Sequence, residues 1–351
     1  MVDVARLADV SVGTVSAVMN LSSTVRPRLR ERVQEAMRAL DYHPNQIARS
    51  LKMQCTHTIG MVVPDIANPF FTSVIRGVEM IGQERGYSII LCDTNEDSQQ
   101  ERRQLSTLFS RRVDGVLISS SNYDAAKDRL TRRRFPIVFF DRIPRGYKGD
   151  AVLTDNLSAA YRAVHYLIQL GHRRIAIITG ALDRSIVADR VDGYRKAMQE
   201  AGLPIPTPYL QQGDFKLESG HRCGLELMRL PDPPTAVFSC NNLMTLGFMG
   251  ALVELKIACP DQVSVLGFDD FDWAASFNPR LTTMAQQMFE MGRSAMEMLV
   301  QRIESPMTEA DCEQGRIVVL ESELRVRDST APAPADPRFQ VTLSDDAWLS
   351  P

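Results

Sequence analysis

Apolar side chains recur at helical spacing between residues 1 and 40, in short stretches separated by polar turns. Two short helices are predicted first, marked by Val4, Leu7 and Ala8 and then by Val15, Val18 and Met19. Ser11 stands between them, where its hydroxyl can cap the second helix. A third helix is predicted to begin at Pro27, whose fixed φ suits a first helical position, and to run to about Leu40.

From Thr58 onward the pattern changes to β-rich runs that alternate with amphipathic helices. The predicted strands are residues 58–63, 87–92, 115–119, 137–140, 174–178, 209–211, 236–239 and 264–267. The predicted helices are residues 70–85, 156–170, 190–201, 217–228 and 242–255. This alternation is typical of βαβ units, which build parallel sheets with helices on both faces. The sequence therefore predicts a small all-α head followed by two similar α/β lobes, each a doubly wound parallel sheet.

The net charge of −3 conceals a difference between the two ends of the chain. Residues 1–52 contain eight basic and five acidic side chains, a net charge of +3, which leaves −6 for the remainder. Charge alone favours an ordinary solvated helix surface over a head that binds a polyanion. The sequence pattern must decide between these two interpretations.

Several classes of protein are disfavoured by the composition and motifs. No apolar run reaches transmembrane length and no secretory signal follows Met1, so we expect a cytoplasmic protein without a membrane partner. Six scattered cysteines without a C-x-x-C pair argue against a zinc site and a disulfide framework, and no metal or cofactor is predicted. Dinucleotide, P-loop, nucleophile-elbow and H-E-x-x-H motifs are absent from the sequence, which argues against an enzyme.

The first two predicted helices have the arrangement of a helix-turn-helix, in which the second helix enters the major groove of DNA. If Val15, Val18 and Met19 face inward, then small side chains face outward from the same helix. Periodicity alone fits an ordinary surface hairpin equally well. Longer motifs distinguish these alternatives.

The chain resembles the LacI/GalR family of repressors, and the resemblance extends to Asp328. The motifs that carry it are Asp3–Ser11, Thr14–Ser16, Asn20 and Tyr42–Leu51 in the head, and Thr58–Asp65, Asn68–Phe71, Gly171–Ile175 and Pro279–Thr283 behind it. These motifs occur in the order that the family shows. The resemblance implies a helix-turn-helix head that binds operator DNA and a two-lobed domain, similar to the periplasmic binding proteins, that binds a small effector.

The same resemblance implies a set of DNA-binding residues. They are Val12, Gly13, Thr14, Ser16, Ala17, Asn20, Tyr42, Asn45, Ala48, Arg49, Leu51 and Lys52. Thr14 and Ser16 are expected to contact phosphates, and residues 45–51 are expected to form a hinge helix in the minor groove. Leu51 would then be an apolar wedge that kinks the duplex, although it could also be a simple packing residue.

The head departs from the family pattern at three positions. Ala17 replaces the usual base-reading arginine, Asp9 replaces the glycine of the turn, and Arg26 replaces a small polar cap. Val12, Gly13 and Ala17 offer no side-chain hydrogen bond to a base edge. We therefore expect specificity to depend largely on DNA shape and on a flexible central step of the operator.

The effector-binding residues implied by the resemblance are Phe70, Phe71, Asp141, Arg142, Arg184, Arg190, Phe215, Asn242, Asp269 and Trp273. Carboxylates, guanidinium groups and aromatic rings together suit a polyol. Local ion pairs, of Asp141 with Arg142 or of Asp189 with Arg190, are an alternative interpretation. Three arginines favour a sugar acid slightly over a neutral sugar, and Asn242 in place of an aspartate points the same way.

The predicted organisation is a head at 1–44, a hinge helix and linker at 45–57, an effector-binding domain at 58–328 and a disordered tail at 329–351. The first lobe is assigned to about 58–157 and 287–318, and the second to 158–286 and 319–328. We expect a homodimer in which lobe closure is coupled to the hinge helices. Alternatives are a neutral-sugar or nucleobase corepressor and, more remotely, a solute-binding protein without a DNA role.

Overall fold

The computed structural model describes residues 1–19, 25–42, 55–120, 135–144, 147–182, 184–305 and 315–334. The chain divides into two compact units between His57 and Thr58. The predicted hinge helix lies outside the described residues.

The first unit contains the helices α1 (Val2–Leu7), α2 (Val12–Met19) and α3 (Pro27–Ala39). Its core consists of Val4, Ala5, Ala8, Val15, Val18, Val33 and Ala36. Pro27 occupies the start of α3, as its position in the sequence predicts. Leu7 is 56% exposed, so its assignment to the inward face is wrong, because Ala5 and Ala8 fill that side of α1 instead.

The second unit contains two α/β lobes, and the predicted fold class is confirmed. Its strands are β1 (Thr58–Val63), β2 (Ser88–Asp93), β3 (Gly115–Ile118), β4 (Ile137–Phe140), β5 (Ala151–Thr154), β6 (Ile175–Thr179), β7 (Leu210–Gln212), β8 (Ala236–Ser239), β9 (Ser264–Phe268), β10 (Thr282–Ala285), β11 (Ile317–Leu320) and β12 (Glu323–Arg325). Its helices are α4 (Pro69–Glu84), α5 (Ser98–Ser110), α6 (Asn156–Gln169), α7 (Ser185–Glu200), α8 (Leu217–Met228), α9 (Asn242–Glu254) and α10 (Met288–Glu304). Short 3-10 turns lie at Thr207–Tyr209 and Ala274–Ser276.

Among the described residues, the strands form two six-stranded sheets. The sheet of lobe 1 has the order β11-β5-β4-β3-β1-β2 and is parallel throughout. The sheet of lobe 2 has the order β12-β10-β9-β8-β6-β7 and is parallel except for the antiparallel pair β10 and β12. In doubly wound sheets of this kind, ligands bind at the carboxyl ends of the strands.

Close helix packing completes the core of lobe 1. A Cβ atom at Gly77 of α4 would lie 2.1 Å from the carbonyl oxygen of Phe289, and one at Gly292 of α10 would lie 2.0 Å from that of Val74. The two glycines therefore let α4 and α10 approach backbone to backbone. The apolar pattern did not reveal α5, α10, β5 or β10 to β12; of these strands, β11 and β12 lie at sheet edges, where the pattern is weak.

Within the described residues, three chain segments cross between the lobes, and side chains connect them. Asp155 accepts hydrogen bonds from the backbone nitrogen and the hydroxyl of Ser322, both at 3.0 Å. Gln287 Nε2 donates to the carbonyl oxygen of Glu321 at 2.9 Å. These bonds join segments that any change in the angle between the lobes must bend.

The chain after Asp328 is packed further than the sequence predicts. Ser329 is buried, its hydroxyl donates to the carbonyl oxygen of Val265 at 2.7 Å, and the backbone nitrogen of Ala333 donates to Leu170 at 2.8 Å. The prediction that disorder begins at Ser329 is therefore wrong for residues 329–334. Backbone hydrogen bonds hold this segment, so it needs no apolar periodicity. Residues 335–351 lie outside the described part of the chain. Among the residues that are described, no helix is long and apolar enough to cross a membrane.

His172 is buried and connects the edge of lobe 2 to this terminal segment. Its Nδ1 lies 3.0 Å from Thr235 Oγ1, and its Nε2 lies 3.0 Å from the carbonyl oxygen of Ala331 and 3.1 Å from Ser264 Oγ. Burial lowers the pKa of His172, and the bond to Ala331 raises it in part. The folded chain therefore takes up a proton here less readily than the unfolded chain does.

We expect His172→Gln to reduce the loss of stability that acid causes. As the pH falls below about 6.5, the unfolded chain binds a proton that the folded chain resists, and the free energy of unfolding decreases. Denaturant unfolding at pH 7, 6 and 5 measures this slope in the wild type and in the variant. His165→Gln is the matched control because His165 is exposed. If the free energy of unfolding depended on pH equally in the wild type and in His172→Gln, His172 would not be a source of the acid sensitivity.

Candidate functional site

Acidic side chains follow strands of both lobes at the edge where the sheets face the cleft. Asp141 directly follows β4, Asp269 directly follows β9, and Glu96 lies just beyond β2. All three have a left-handed backbone, with φ of 61°, 74° and 61° respectively, and Phe215 has φ of 70°. Non-glycine residues in this region carry strain that is concentrated at functional sites. The left-handed backbone and the acidic side chains therefore indicate a functional site at the same edge of the sheets.

Arg190 of α7 lies at the centre of this cleft and is 2% exposed. Its Nε donates to Asn156 Oδ1 at 2.8 Å, and its Nη1 donates to the carbonyl oxygen of Cys240. The guanidinium carbon lies 3.6 Å from the centre of the Phe268 ring. Two hydrogen bonds and an aromatic face thus fix the orientation of a charged group that α7 alone would leave mobile.

Asp269 is the carboxylate of lobe 2 in this cleft. Gln286 Nε2 donates to its Oδ1, and the backbone N–H of Asn242, at the start of α9, also donates to the carboxylate. Burial raises the pKa of Asp269, while Arg190 and these hydrogen bonds lower it in part. Gln286 in turn accepts a hydrogen bond from Thr154 of lobe 1, so the side chain of a crossover residue links the two walls.

Asp141 is the corresponding carboxylate of lobe 1. The hydroxyl of Ser119 donates to its Oδ2 at 3.3 Å, and Arg142 Nε lies 3.4 Å from the same oxygen. Burial raises the pKa of Asp141, and Arg142 and Arg190 lower it in part. The local ion pair considered from the sequence is therefore present for Asp141 and Arg142, and it lies inside the cleft.

Glu96 holds a second ion-pair network beside this site. Arg142 Nη1 donates to both carboxylate oxygens of Glu96, at 2.8 and 2.9 Å. Arg184 of lobe 2 approaches the same carboxylate, with 3.5 Å between its Nη2 and Glu96 Oε2. Burial by itself would lower the pKa of Arg142, but the charges of Glu96 and Asp141 raise it. Among the described residues, ion pairs therefore join Arg142 to Glu96 and Asp141 and join Arg184 to Glu96, while Arg190 acts on Asp141 and Asp269 through its charge.

Further hydrogen bonds join side chains of one lobe to groups of the other across the cleft. Asn242 Nδ2 of lobe 2 donates to Asn68 Oδ1 of lobe 1 at 2.9 Å. Lys216 Nζ donates to Asn95 Oδ1 at 2.8 Å. The hydroxyl of Ser185 donates to the carbonyl oxygen of the lobe 1 residue Ile143 at 3.2 Å.

Aromatic rings line both lobes near these polar groups. Phe70 and Phe71, at the start of α4, pack edge to face with 4.9 Å between ring centres. Phe215 lies under the guanidinium of Arg142, at 4.7 Å. Trp273 is placed elsewhere: it is 38% exposed and packs on Phe271 and Phe277 in a separate surface cluster. The contacts described for Trp273 are with these two rings, so its role in the effector site stays a prediction.

Several residues of this cleft were not predicted from the sequence. They are Asn68, Glu96, Ser119, Asn156, Phe268 and Gln286. Most stand within three residues of a strand's carboxyl end or at the first position of a helix. A search for polar residues at those positions would have found Glu96, Ser119, Asn156 and Gln286 without any family pattern.

The helix-turn-helix head presents α2 with its predicted faces. Val15 and Val18 are buried, whereas Val12 and Gly13 are exposed. The Ser11 hydroxyl accepts a hydrogen bond from the backbone nitrogen of Thr14 at 3.1 Å, which confirms the predicted cap.

Of the other predicted DNA-binding residues, Ser16 and Ala17 are half-buried on α2, and Tyr42 packs against the core of the head. Asn20, Asn45, Ala48, Arg49, Leu51 and Lys52 lie outside the described residues.

The backbone conformation of Asp9 shows why the family has glycine at this position of the turn. Its φ is 49°, in the left-handed region where aspartate is tolerated better than most residues. Arg32 of α3 donates to the carbonyl oxygen of Asp9 at 3.3 Å and pairs with its carboxylate at 3.2 Å. The turn before α2 is therefore retained without glycine.

Comparison with known proteins agrees with both units. Residues 1–45 match the model of the bacterial regulatory proteins of the lacI family. Residues 56–323 match the model of the periplasmic binding proteins and sugar binding domain of the LacI family.

Individual proteins are similar over most of the chain. The ribose operon repressor of Escherichia coli K12 is 40% identical over 308 residues, which cover 87% of this chain and 93% of that protein. A LacI family transcriptional regulator from Enterococcus faecium with bound ribose is 32% identical, with a TM-score of 0.70, over 78% of this chain and 99% of that one. The lac repressor dimer bound to operator and the anti-inducer ONPF is 25% identical, with a TM-score of 0.79, over 94% of this chain and 98% of that one. A helix-turn-helix head joined to a two-lobed α/β domain, matched along nearly its whole length, shows that the chain belongs to the LacI family of bacterial transcriptional regulators.

Proposed function

We propose that this regulator is a homodimeric repressor that binds a neutral pentose, with D-ribose as the first candidate, in the cleft between its lobes. The observation that carries the proposal is the ring of oriented, buried polar groups around Arg190. Asp141 and Asp269 can each accept hydrogen bonds from adjacent hydroxyls, and Arg190 can donate to a ring or hydroxyl oxygen. The names of the ribose operon repressor and of the ribose-bound regulator support the same ligand.

Charge balance supports a neutral ligand over a sugar acid. The sequence favoured an acid because three arginines were assigned to the cleft. In the structure, Glu96 pairs with Arg142 and Arg184, and Arg190 lowers the pKa values of both Asp141 and Asp269. A ligand with a further negative charge would have to compete with these carboxylates. A neutral polyol would not.

Contacts between the walls support a ligand no larger than a single sugar ring. Asn242 Nδ2 donates to Asn68 Oδ1 at 2.9 Å, and Lys216 Nζ donates to Asn95 Oδ1 at 2.8 Å. A disaccharide would force these contacts between the lobes to open. The ring of Phe215 packs against Arg142, and the ring of Phe268 packs against Arg190. Together with Phe70, these rings provide apolar surface for one face of a sugar.

The head supplies the second half of the function. We propose that α2 of each subunit enters the major groove at one half-site of a pseudo-palindromic operator, as a dimer that resembles the lac repressor dimer. Residues 45–52 are proposed as the hinge helix and Leu51 as its wedge in the minor groove. The sugar controls DNA binding through its different affinities for the two arrangements of the lobes. Ligand binding, rather than a chemical reaction, is the role that we assign to the cleft.

Titration calorimetry of the full chain tests the ligand. We expect D-ribose to bind with one site per subunit and adenine not to bind, because the cleft offers carboxylates and amides for hydroxyl groups. Binding of adenine without D-ribose would contradict the proposal and would favour a nucleobase effector.

A further inference from the structure

We propose that Glu96 determines the charge selectivity of the effector site, a role that rests on the proposed sugar-binding function. Its carboxylate neutralises an arginine from each wall of the cleft. The site then accepts a neutral sugar and rejects the acid of the same carbon skeleton.

Geometry separates Glu96 from the other two carboxylates. Asp141 and Asp269 surround Arg190 at the centre of the cleft, where we place the sugar hydroxyls. Glu96 lies beside them. Its carboxylate accepts hydrogen bonds from Arg142 Nη1 at 2.8 and 2.9 Å and forms an ion pair with Arg184 Nη2 at 3.5 Å. It therefore acts on the ligand through the charge of these two arginines. Glu96 therefore determines specificity without needing to touch the sugar.

Burial makes this neutralisation strong. The side chains of Arg142, Arg184 and Glu96 are only 7%, 16% and 17% exposed, so water screens their charges weakly. Without the Glu96 carboxylate, the ion pair left to Arg142 among the described residues would be the one with Asp141, at 3.4 Å, and Arg190 also acts on that carboxylate. The cleft would carry a net positive charge, and an anionic ligand would be the group best able to balance it.

The backbone indicates that this position of Glu96 is maintained at some cost. Its φ of 61° lies in the left-handed region, and its backbone nitrogen donates to the carbonyl oxygen of Pro64 at 2.8 Å. The turn after β2 thus directs the carboxylate toward both arginines.

The test compares two ligands in four full-length proteins by titration calorimetry. The ligands are D-ribose and D-ribonate, and the measured quantity is the ratio of their affinities. We expect Glu96→Gln, which keeps the shape of the side chain, to shift this ratio toward ribonate by about tenfold or more. Glu96→Asp retains the charge and should keep the wild-type ratio within about threefold. Arg184→Gln removes a positive charge instead and should shift the ratio toward ribose.

Two results would overturn the proposal, and they have different meanings. If the wild type binds ribose but Glu96→Gln shows an unchanged ratio, Glu96 does not set the selectivity, and the proposed function stands. If the wild type binds no ribose, the proposed function fails and this inference fails with it. Thermal unfolding of each variant, monitored by circular dichroism, confirms that a folded protein was measured.

Discussion

Replacement of Arg190 by methionine is expected to lower the affinity for D-ribose by about 100-fold or more. The side chain is 2% exposed, and its positive charge lowers the pKa values of both central carboxylates, Asp141 and Asp269. Loss of charged hydrogen bonds to the sugar costs about 1.5–3 kcal/mol each, and two such bonds give an effect of this size. The pKa values of Asp141 and Asp269, which burial already raises, should rise further, because Arg190 no longer opposes the effect.

Titration calorimetry of Arg190→Met, of Arg190→Lys and of a control variant measures this effect. Arg222→Met is the matched control, because Arg222 lies in the same lobe but forms an exposed ion pair with Glu226 on α8. The control should bind ribose like the wild type. The ribose affinity of Arg190→Lys should lie between those of the wild type and Arg190→Met, since an ammonium group keeps the charge but not the planar set of donors. Wild-type affinity in folded Arg190→Met would remove Arg190 from the site.

Removal of residues 1–57 is expected to abolish specific operator binding and to leave sugar binding intact. The chain divides between His57 and Thr58, and each lobe of the remaining part has its own apolar core. Residues 1–52 carry +3 of charge while the rest carries −6, so the remaining fragment should repel DNA at low salt. We expect operator affinity to fall by about a thousandfold or more, which is the usual gap between specific and non-specific binding.

Gel shift with the fragment and the full chain measures the first half of this prediction, and ribose calorimetry on the fragment measures the second. Ribose affinity within about threefold of the full chain is expected, because none of the described cleft contacts involves the head. A fragment that retained specific operator affinity would place DNA recognition outside the head.

Much of the fold could be predicted from the sequence because its signals are local. The strands of buried parallel sheets, such as β1 (Thr58–Val63) and β4 (Ile137–Phe140), are short apolar runs with clear ends. The cap at Ser11 and the start of α3 at Pro27 depend on a few neighbouring residues. Edge strands such as β11 are half exposed and carry no such run, and α7 begins five residues earlier than the pattern of its apolar residues indicated.

The site was predicted less completely, for a physical reason. Asp141, Arg190 and Asp269 follow strands or lie on a cleft helix, and the family resemblance supplied their roles. The partners that decide the charge of the cleft are distant in sequence: Glu96 stands 46 residues before Arg142, and Asn68 stands 174 before Asn242. A single sequence contains no signal for such pairs. The sequence favoured a sugar acid because it shows three arginines in the cleft but does not show the carboxylates that pair with them.

The most direct test of the whole account is the operator affinity of the full chain with and without saturating D-ribose. An operator duplex selected from a random library and labelled with a fluorophore would be titrated by anisotropy at fixed salt. The account predicts that ribose changes the dissociation constant by about tenfold or more, and that saturating operator changes the ribose affinity by the same factor, since coupling between two sites is reciprocal. An operator affinity that is identical with and without bound ribose would contradict it.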